Sequence, residues 1–251
     1  MVRPPVDTIM APPFPPGERW INTPPLRIDE LRGRAVLLEF WDFARHNSLA
    51  TLPYLKAWHA RYAENGLVVV SVHTPGFRAS ANEDAARAAV ERLSIEHPVL
   101  LDTDYAMWHE YENAGWPGRY LWNAEGALAD YHYGEGDYAG CEQAICELIG
   151  VDFEPLEPMR AADEPGALLA PPSEDRLAEP FSGPYEAGAV WAVLDPPAAG
   201  GLVVVNGERL EVPHPGAHLL IEHEGHRHGE LALELGAGVR CDGVCFAPGL
   251  V

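Results

Sequence analysis

The stretch WDFARHNSLATLPYLKAW (41–58) lies between a continuous apolar run and an amphipathic segment. The run before it, RAVLLEFW (34–41), is typical of a strand that is buried on both faces. Apolar residues then recur at helical spacing through 49–62, and Asn65-Gly66 closes that helix. The sequence here therefore predicts a strand, a short polar loop and a helix.

Further strand and helix patterns follow in alternation along the first 150 residues. Asn82 is a candidate N-cap for a helix, and Ala124-Glu125-Gly126 is typical of the turn of an antiparallel hairpin. The predicted segments are LVVVSVH (67–73), NEDAARAAVERL (82–93), PVLLD (98–102), 105–111, RYLWN (119–123), ALADYHY (127–133) and 137–149. This order predicts an α/β fold with a central mixed sheet flanked by helices.

The chain changes character after residue 150. Residues 151–180 hold eight acids and six prolines among few large apolar residues, which predicts an extended acidic linker. Short apolar segments between Gly, Pro and Asn turns follow, and they predict a small all-β, sandwich-like domain. We therefore predict a domain over 1–150 with a Pro-rich N-terminal arm, a linker over 151–180 and a β module over 181–251.

Composition limits the partners and the location. The formal net charge is −21, from 38 acids against 17 bases, and the bases are scattered along the sequence. Nucleic acid is therefore an improbable partner, because phosphate binding needs clustered Lys and Arg. The sequence shows no apolar run long enough for a membrane span and no signal peptide pattern, so we expect a cytoplasmic protein without membrane insertion. No motif points to a cofactor, and none is expected.

The four cysteines do not form the framework of a disulfide-rich protein. Cys141 and Cys146 lie in a helical pattern and point in different directions, so they cannot easily bridge. Cys241 and Cys245 leave two possibilities open. A straight strand would hold them ~13 Å apart, whereas a tight turn at Asp242-Gly243 could bring them face to face.

Seven segments in the first part of the chain resemble the thioredoxin-like domain of TlpA/DipZ-type thiol–disulfide proteins. They are WINTPPL (20–26), LRGRAVLLEFW (31–41), TLPYLKAW (51–58), GLVVVSVHTPGF (66–77), LDTDYAMWHEY (101–111), WPGRYL (116–121) and YGEGDY (133–138). The end of the chain, VCFAPGL, more faintly resembles the β-rich module that follows this domain in the DipZ branch. The resemblance implies a thioredoxin fold, a cis-proline at Pro117 and thiol–disulfide oxidoreductase activity.

The sequence departs from this family where the family chemistry is located. Arg45 and Ser48 stand at the two positions that match the family's Cys-x-x-Cys motif, and Gly76 stands where the family tends to have an acid. Thiol–disulfide exchange needs a thiolate, and neither a guanidinium nor a hydroxyl can replace it. Dithiol chemistry at this loop is therefore excluded.

Three functions remain as hypotheses. The first is a binding or interaction protein, whose partner is either a small anion or another protein. Free N–H groups at the start of the helix, with polar side chains, suit an anion-binding pocket. The predicted pocket residues are Trp41, Asp42, Arg45, His46, Asn47, Ser48, Trp116 and Pro117.

The second hypothesis is an oxidoreductase that uses Cys241 and Cys245, and the third is a structural or assembly subunit. A hydrolase with Ser48 as nucleophile and His46 as base is disfavoured, because side chains two residues apart diverge at a helix start. His226 and His228 would share one face of a strand and are weak candidates for a metal site. A polar hairpin tip with its turn at Gly225 is the favoured interpretation of that segment.

Overall fold

The computed structural model describes residues 9–17 and 19–251, and the chain forms two compact units. The first unit comprises the described residues up to Asp42 together with Asn47–Pro75 and Ala86–Met159. The second unit comprises Phe43–His46, Gly76–Ala85 and Arg160–Val251. The beginning of the predicted N-terminal arm lies outside the described residues. The domain boundaries at residues 150 and 180 stay predictions.

A mixed six-stranded sheet forms the centre of the first unit. Its strands are β1 (Trp20–Ile21), β2 (Ala35–Trp41), β3 (Leu67–His73), β4 (Val99–Leu101), β5 (Gly118–Trp122) and β6 (Leu128–Tyr133). They are arranged in the order β1-β4-β3-β2-β5-β6. The pairs β2–β3 and β3–β4 are parallel, and the other pairs are antiparallel. The predicted thioredoxin-like fold is confirmed, while the edge strand β1 lies in a part of the chain for which the sequence predicted no strand.

The described residues contain four α-helices that match the predicted segments to within a few residues. They are α1 (His46–Tyr62), α2 (Glu83–Arg92), α3 (Ala106–Glu110) and α4 (Tyr138–Ile149). Asn82 acts as the predicted cap, since its Oδ1 accepts a 3.0 Å hydrogen bond from the N–H of Ala85. No helix in this part of the chain has the length and apolar character needed to cross a membrane.

Strand β2 holds the loop that follows it in a fixed position. All seven of its residues are buried, and Leu37, Leu38 and Phe40 are completely inaccessible to solvent. Burying an aliphatic or aromatic side chain of this size contributes about 1.5–3 kcal/mol. The strand ends at Trp41, which is also buried, so the loop after it starts from a rigid point in the core.

The second unit is all-β in its C-terminal part, as predicted. Its strands are β7 (Leu169–Ala170), β8 (Arg176–Leu177), β9 (Gly183–Asp195), β10 (Gly201–Val205), β11 (Glu208–Val212), β12 (Gly216–Leu231), β13 (Leu233–Leu235), β14 (Arg240–Ala247) and β15 (Gly249–Leu250). They form a four-stranded sheet β12-β9-β14-β8, a three-stranded sheet β11-β10-β13 and the pair β15-β7. Buried Val190, Leu194, Val203 and Val244 belong to one apolar core.

The predicted hairpin with its turn at Gly225 is wrong. Strand β12 continues through this glycine and pairs with β9 on both sides of it, with a register shift between Glu222 and Arg227. Gly225 has a different role, because a Cβ atom there would lie 2.9 Å from the main-chain oxygen of Leu250. The glycine therefore permits a close approach of two backbones. In the sequence such a glycine cannot be distinguished from one that forms a turn.

The structure differs from the sequence predictions at two further places after residue 150. The stretch predicted as an extended linker contains β7 and β8, which pair with β15 and β14. Strands of two residues are too short to show an alternating pattern, so the sequence gives no signal for them. Cys241 and Cys245 lie on one strand, β14, and the alternative of a tight turn at Asp242-Gly243 is therefore wrong.

Candidate functional site

Six of the eight residues that the sequence predicts for binding lie in 41–48, which comprises the end of β2, the loop after it and the start of α1. The first unit contains Trp41, Asp42, Asn47, Ser48, Trp116 and Pro117, and the second unit contains Arg45 and His46.

Asn47 joins the start of α1 to the loop before β5. Its Nδ2 donates a 2.8 Å hydrogen bond to the main-chain oxygen of Trp116. Its Oδ1 accepts a 2.9 Å hydrogen bond from the N–H of Ser48. The peptide bond between Trp116 and Pro117 is cis. The amide of Asn47 is therefore engaged in two structural hydrogen bonds inside the first unit.

Ser48 is built into the protein interior. The residue is completely buried, and its Oγ accepts a 3.3 Å hydrogen bond from the N–H of Asp42. A nucleophilic serine needs access to its substrate and a base that removes its proton. Burial denies the hydroxyl that access, so the described geometry gives no support to a hydrolase at this residue.

A buried acid–imidazole pair lies beside Ser48. Asp42 and His73 are both fully buried, and Asp42 Oδ1 lies 3.7 Å from His73 Nε2. The Trp41 ring meets the His73 ring edge-on, with 5.4 Å between centroids. The sequence analysis predicted Asp42 as a binding residue but did not predict His73. His73 is the last residue of β3 and is the register partner of Trp41 at the end of β2.

Arg45 and His46 pack against aromatic rings in the second unit. The guanidinium carbon of Arg45 lies 4.8 Å from the centre of the Phe77 ring, within the range of a cation–π interaction. The His46 ring stacks on Trp191, with 6.0 Å between centroids and 21° between planes. Burial lowers the pKa of His46 to about 4. The imidazole is therefore neutral near pH 7 and adds no positive charge for an anion.

The sequence analysis missed a buried glutamate–arginine pair on neighbouring strands. Glu39 on β2 and Arg119 on β5 are register partners, and both are almost fully buried. Arg119 Nε lies 3.8 Å from Glu39 Oε2. Burial raises the pKa of Glu39 to about 8, although the charge of Arg119 opposes this shift. The signal in the sequence was a lone acid inside the apolar run VLLEFW.

All four cysteines are free and buried. Burial raises the pKa of the Cys141 and Cys245 thiols to about 12 and also raises the pKa of Cys241. The positive charge of Arg45 opposes the shift at Cys245 but does not overcome it. Near pH 7 these thiols are therefore protonated and poorly nucleophilic.

His226 and His228 face the same carboxylate. His226 Nε2 lies 3.5 Å from one oxygen of Glu186, and His228 Nδ1 lies 3.2 Å from the other. Across residues 9–17 and 19–251, no three His, Cys, Asp or Glu side chains are arranged to hold a metal ion. Both histidines therefore lie close to the carboxylate of one glutamate.

Comparison with known proteins gives relatives for about half of the chain. No protein-family model matches the chain. The chain is 35% identical to the protein DipZ of Mycobacterium tuberculosis over 133 residues, which are 52% of this chain and 19% of DipZ. The chain contains a redoxin domain of the DipZ/TlpA type.

This redoxin domain also resembles smaller proteins along most of their length. The thiol-disulfide oxidoreductase YkuV of Bacillus subtilis is 24% identical over 134 residues, which are 53% of this chain and 90% of YkuV. A solution structure of a thioredoxin-like protein in its oxidized form aligns with a TM-score of 0.49 and 21% identity, over 53% of this chain and 89% of the other. The assignment of the redoxin domain rests on the sheet topology and the sequence relatives. The chain spans about a fifth of the length of the DipZ proteins.

Proposed function

We propose that this protein carries the scaffold of the thiol–disulfide oxidoreductase family but does not catalyse disulfide exchange. It acts instead by binding a partner. The observation that carries the proposal is the absence of sulfur at the two positions matching the family motif, Arg45 and Ser48. Exchange begins when a thiolate attacks a disulfide sulfur and forms a mixed disulfide. Neither residue can form that bond.

The environment of these two residues supports a structural role for both. Ser48 is buried and hydrogen-bonded to the N–H of Asp42, so its hydroxyl helps to close the turn before α1. Arg45 packs its guanidinium over Phe77. These contacts stabilise the loop and do not form a centre that could exchange electrons.

An oxidoreductase that uses Cys241 and Cys245 is the second candidate. One observation favours it, since Arg45 is close enough to Cys245 to oppose the rise in its pKa. With a pKa of about 12, however, the Cys245 thiol would be almost entirely protonated at pH 7. Such a thiol would need an opening of the second unit before it could react.

The anion-suited pocket at the start of α1 is part of the proposal as a weak site. Within the second unit Arg45 would provide the charge, and the neighbouring His46 is neutral near pH 7. We expect sulfate to bind only weakly, and Arg45→Ala to abolish that binding in a calorimetric titration. Sulfate binding that is unchanged in Arg45→Ala would remove this pocket from the proposal.

Insulin reduction in the presence of dithiothreitol tests the proposed function. The wild-type protein should add nothing to the rate with dithiothreitol alone, while Arg45→Cys/Ser48→Cys should restore turnover because it returns cysteine to the two positions that match the family motif. The double variant thus serves as the positive control. Wild-type turnover that disappears in Cys245→Ser would instead establish the second candidate.

A further inference from the structure

A cavity of about 370 Å³ lies on the first unit and is lined by residues from the end of β1, from α2 and from the loop after α2. Three of its lining side chains are aliphatic: Val90 and Ile95 are buried, and Ile21 is half-buried. The volume is at the lower end of the range for small-molecule sites. The cavity therefore suits a small ligand with an apolar part, and it includes none of the residues that the sequence predicts for binding.

Three exposed charged side chains line the same cavity. Arg87 and Glu91 lie about one turn apart on α2, so their Cα atoms are displaced by about 6 Å along the helix axis, and Glu96 lies in the loop that follows. None of the three forms an ion pair with another residue in the described part of the chain. One positive and two negative charges are thus available to a ligand.

The two acids lie where the helix itself is negative. Helix α2 ends at Arg92, with Glu91 in its last turn and Glu96 beyond it. The C-terminal end of a helix carries a partial negative charge, which favours cations and disfavours carboxylates. Arg87 followed by Glu91 is also the less favourable order for an ion pair on a helix. A ligand ammonium beside the two acids relieves this repulsion, and Arg87 remains available for a carboxylate.

The cavity has a fixed shape before a ligand binds. The side chain of Asn22 donates hydrogen bonds to the main-chain oxygens of Ile95 and His97, at 2.6 and 3.0 Å, and so joins the end of β1 to the loop after α2. Asn22 and Ser94, which both line the cavity, have positive φ angles of 65° and 50°. Such backbone conformations cost free energy and are found at ligand sites. A fixed cavity lowers the entropic cost of binding.

We propose that this cavity binds a free aliphatic α-amino acid, with leucine as its simplest representative. The ammonium group pairs with Glu91 and Glu96, the carboxylate pairs with Arg87, and the side chain contacts Val90 and Ile95. An amine without a carboxylate leaves the arginine unused, and a carboxylate without an ammonium faces two acids. A zwitterion with an apolar side chain is the small molecule that uses all parts of the cavity.

A nuclear magnetic resonance titration of the isotope-labelled protein at pH 7 tests this proposal. L-Leucine should bind saturably and shift the amide signals of residues 87–96. Leucinamide lacks the carboxylate charge and also represents the N-terminus of a peptide, whereas isocaproate lacks the ammonium group. Each should bind roughly fivefold more weakly than leucine, as for the loss of a partly exposed ion pair. Glycine, which keeps both charges without a side chain, should bind roughly tenfold more weakly.

Equal affinities for leucine, leucinamide and isocaproate would overturn the proposal, and so would the absence of saturable leucine binding. Binding of leucinamide as tight as that of leucine would point to a peptide N-terminus and would likewise reject the free amino acid.

Variants that remove charge assign each ligand group to its partner on the protein. Arg87→Gln should weaken leucine binding roughly fivefold and leave leucinamide unchanged. Glu91→Gln/Glu96→Gln should weaken leucine and leucinamide but strengthen isocaproate, because it removes the repulsion between carboxylates. The matched control is Arg92→Gln, at an exposed residue of α2 that does not line the cavity, and it should change nothing. Equal effects of Arg87→Gln and Arg92→Gln on leucine would contradict the proposal.

This inference goes beyond the proposed function and is tested separately from it. Failure of leucine to bind would reject the amino-acid site and leave the non-redox assignment standing. Insulin reduction by the wild-type protein would reject the proposed function whatever the leucine result.

Discussion

The side-chain amide of Asn47 is hydrogen-bonded to the main-chain oxygen of Trp116 at 2.8 Å, across 69 residues of sequence. This bond fixes the start of α1 against the loop that carries the cis peptide bond at Pro117. The N–H of Ser48 donates to the same side chain, so one residue organises both sides of the loop.

Asn47→Ala should therefore destabilise the protein. Loss of the bond to Trp116 leaves a carbonyl without its partner, and we expect the free energy of unfolding to fall by about 1–2 kcal/mol. Urea denaturation followed by circular dichroism measures this change. Asn65→Ala, at an exposed position beyond α1, is the control and should cost less than about 0.5 kcal/mol. Equal effects of the two substitutions would show that the hydrogen bond is unimportant.

Acid should destabilise the protein partly through His97. This residue is fully buried, with its Nε2 2.7 Å from the hydroxyl of Ser71, and burial lowers its pKa from 6.5 to about 3. Between these pH values the unfolded chain binds more protons than the folded one. The stabilising contribution is complete above pH 6.5 and is lost as the pH falls, by up to about 1.4 kcal/mol per unit.

The substitution His97→Gln separates this contribution from other acid effects. The variant should be less stable at pH 7, because the bond to Ser71 changes, but its stability should fall less steeply between pH 6 and pH 4. Denaturant titrations at several pH values measure the slope. His109→Gln, at an exposed histidine, should keep the wild-type slope. A slope unchanged in His97→Gln would contradict the account of its pKa.

Glu39 should act in the opposite direction. Its pKa is raised from 4.5 to about 8, so the folded protein keeps a proton that the unfolded chain has lost. The contribution is complete below pH 4.5 and is lost as the pH rises toward 8. Glu39→Gln should therefore flatten the fall in stability over this range, whereas the exposed Glu64→Gln should not. Parallel pH curves for wild-type protein and Glu39→Gln would reject the raised pKa.

Asp242 should be a strong stabiliser of the second unit. Its nearly buried carboxylate accepts 2.8 Å hydrogen bonds from the N–H of Ala79 and from the guanidinium of Arg78. Asp242→Asn removes the charge while keeping the shape, and we expect a loss of about 1–3 kcal/mol, as for charged hydrogen bonds. Thermal unfolding gives the comparison, with Glu211→Gln as the exposed control. A melting temperature equal to that of the control would count against this role.

Local patterns in the sequence predicted most of the redoxin domain. The fully buried strands β2 and β3 appear in the sequence as continuous apolar runs. The start of α2 is predicted by the capping residue Asn82. The same logic failed for β12, because Gly225 and the polar residues around it resemble a turn, whereas the glycine is needed for a close approach to Leu250.

Features that depend on distant pairing could not be predicted. Asp242 meets Ala79 across 163 residues, and Glu39 meets Arg119 only through the register of two strands. No spacing rule links such positions within one sequence. The chemistry at positions 45 and 48, in contrast, needed no structure, since the absence of sulfur is visible in the sequence itself.

The most direct test of the central claim is the rate at which the reduced wild-type protein reduces insulin disulfides above the rate of dithiothreitol alone. An excess rate of zero is expected, because no thiolate is present at the start of α1. A measurable excess rate that scales with protein concentration would contradict the claim that this redoxin domain works without disulfide exchange.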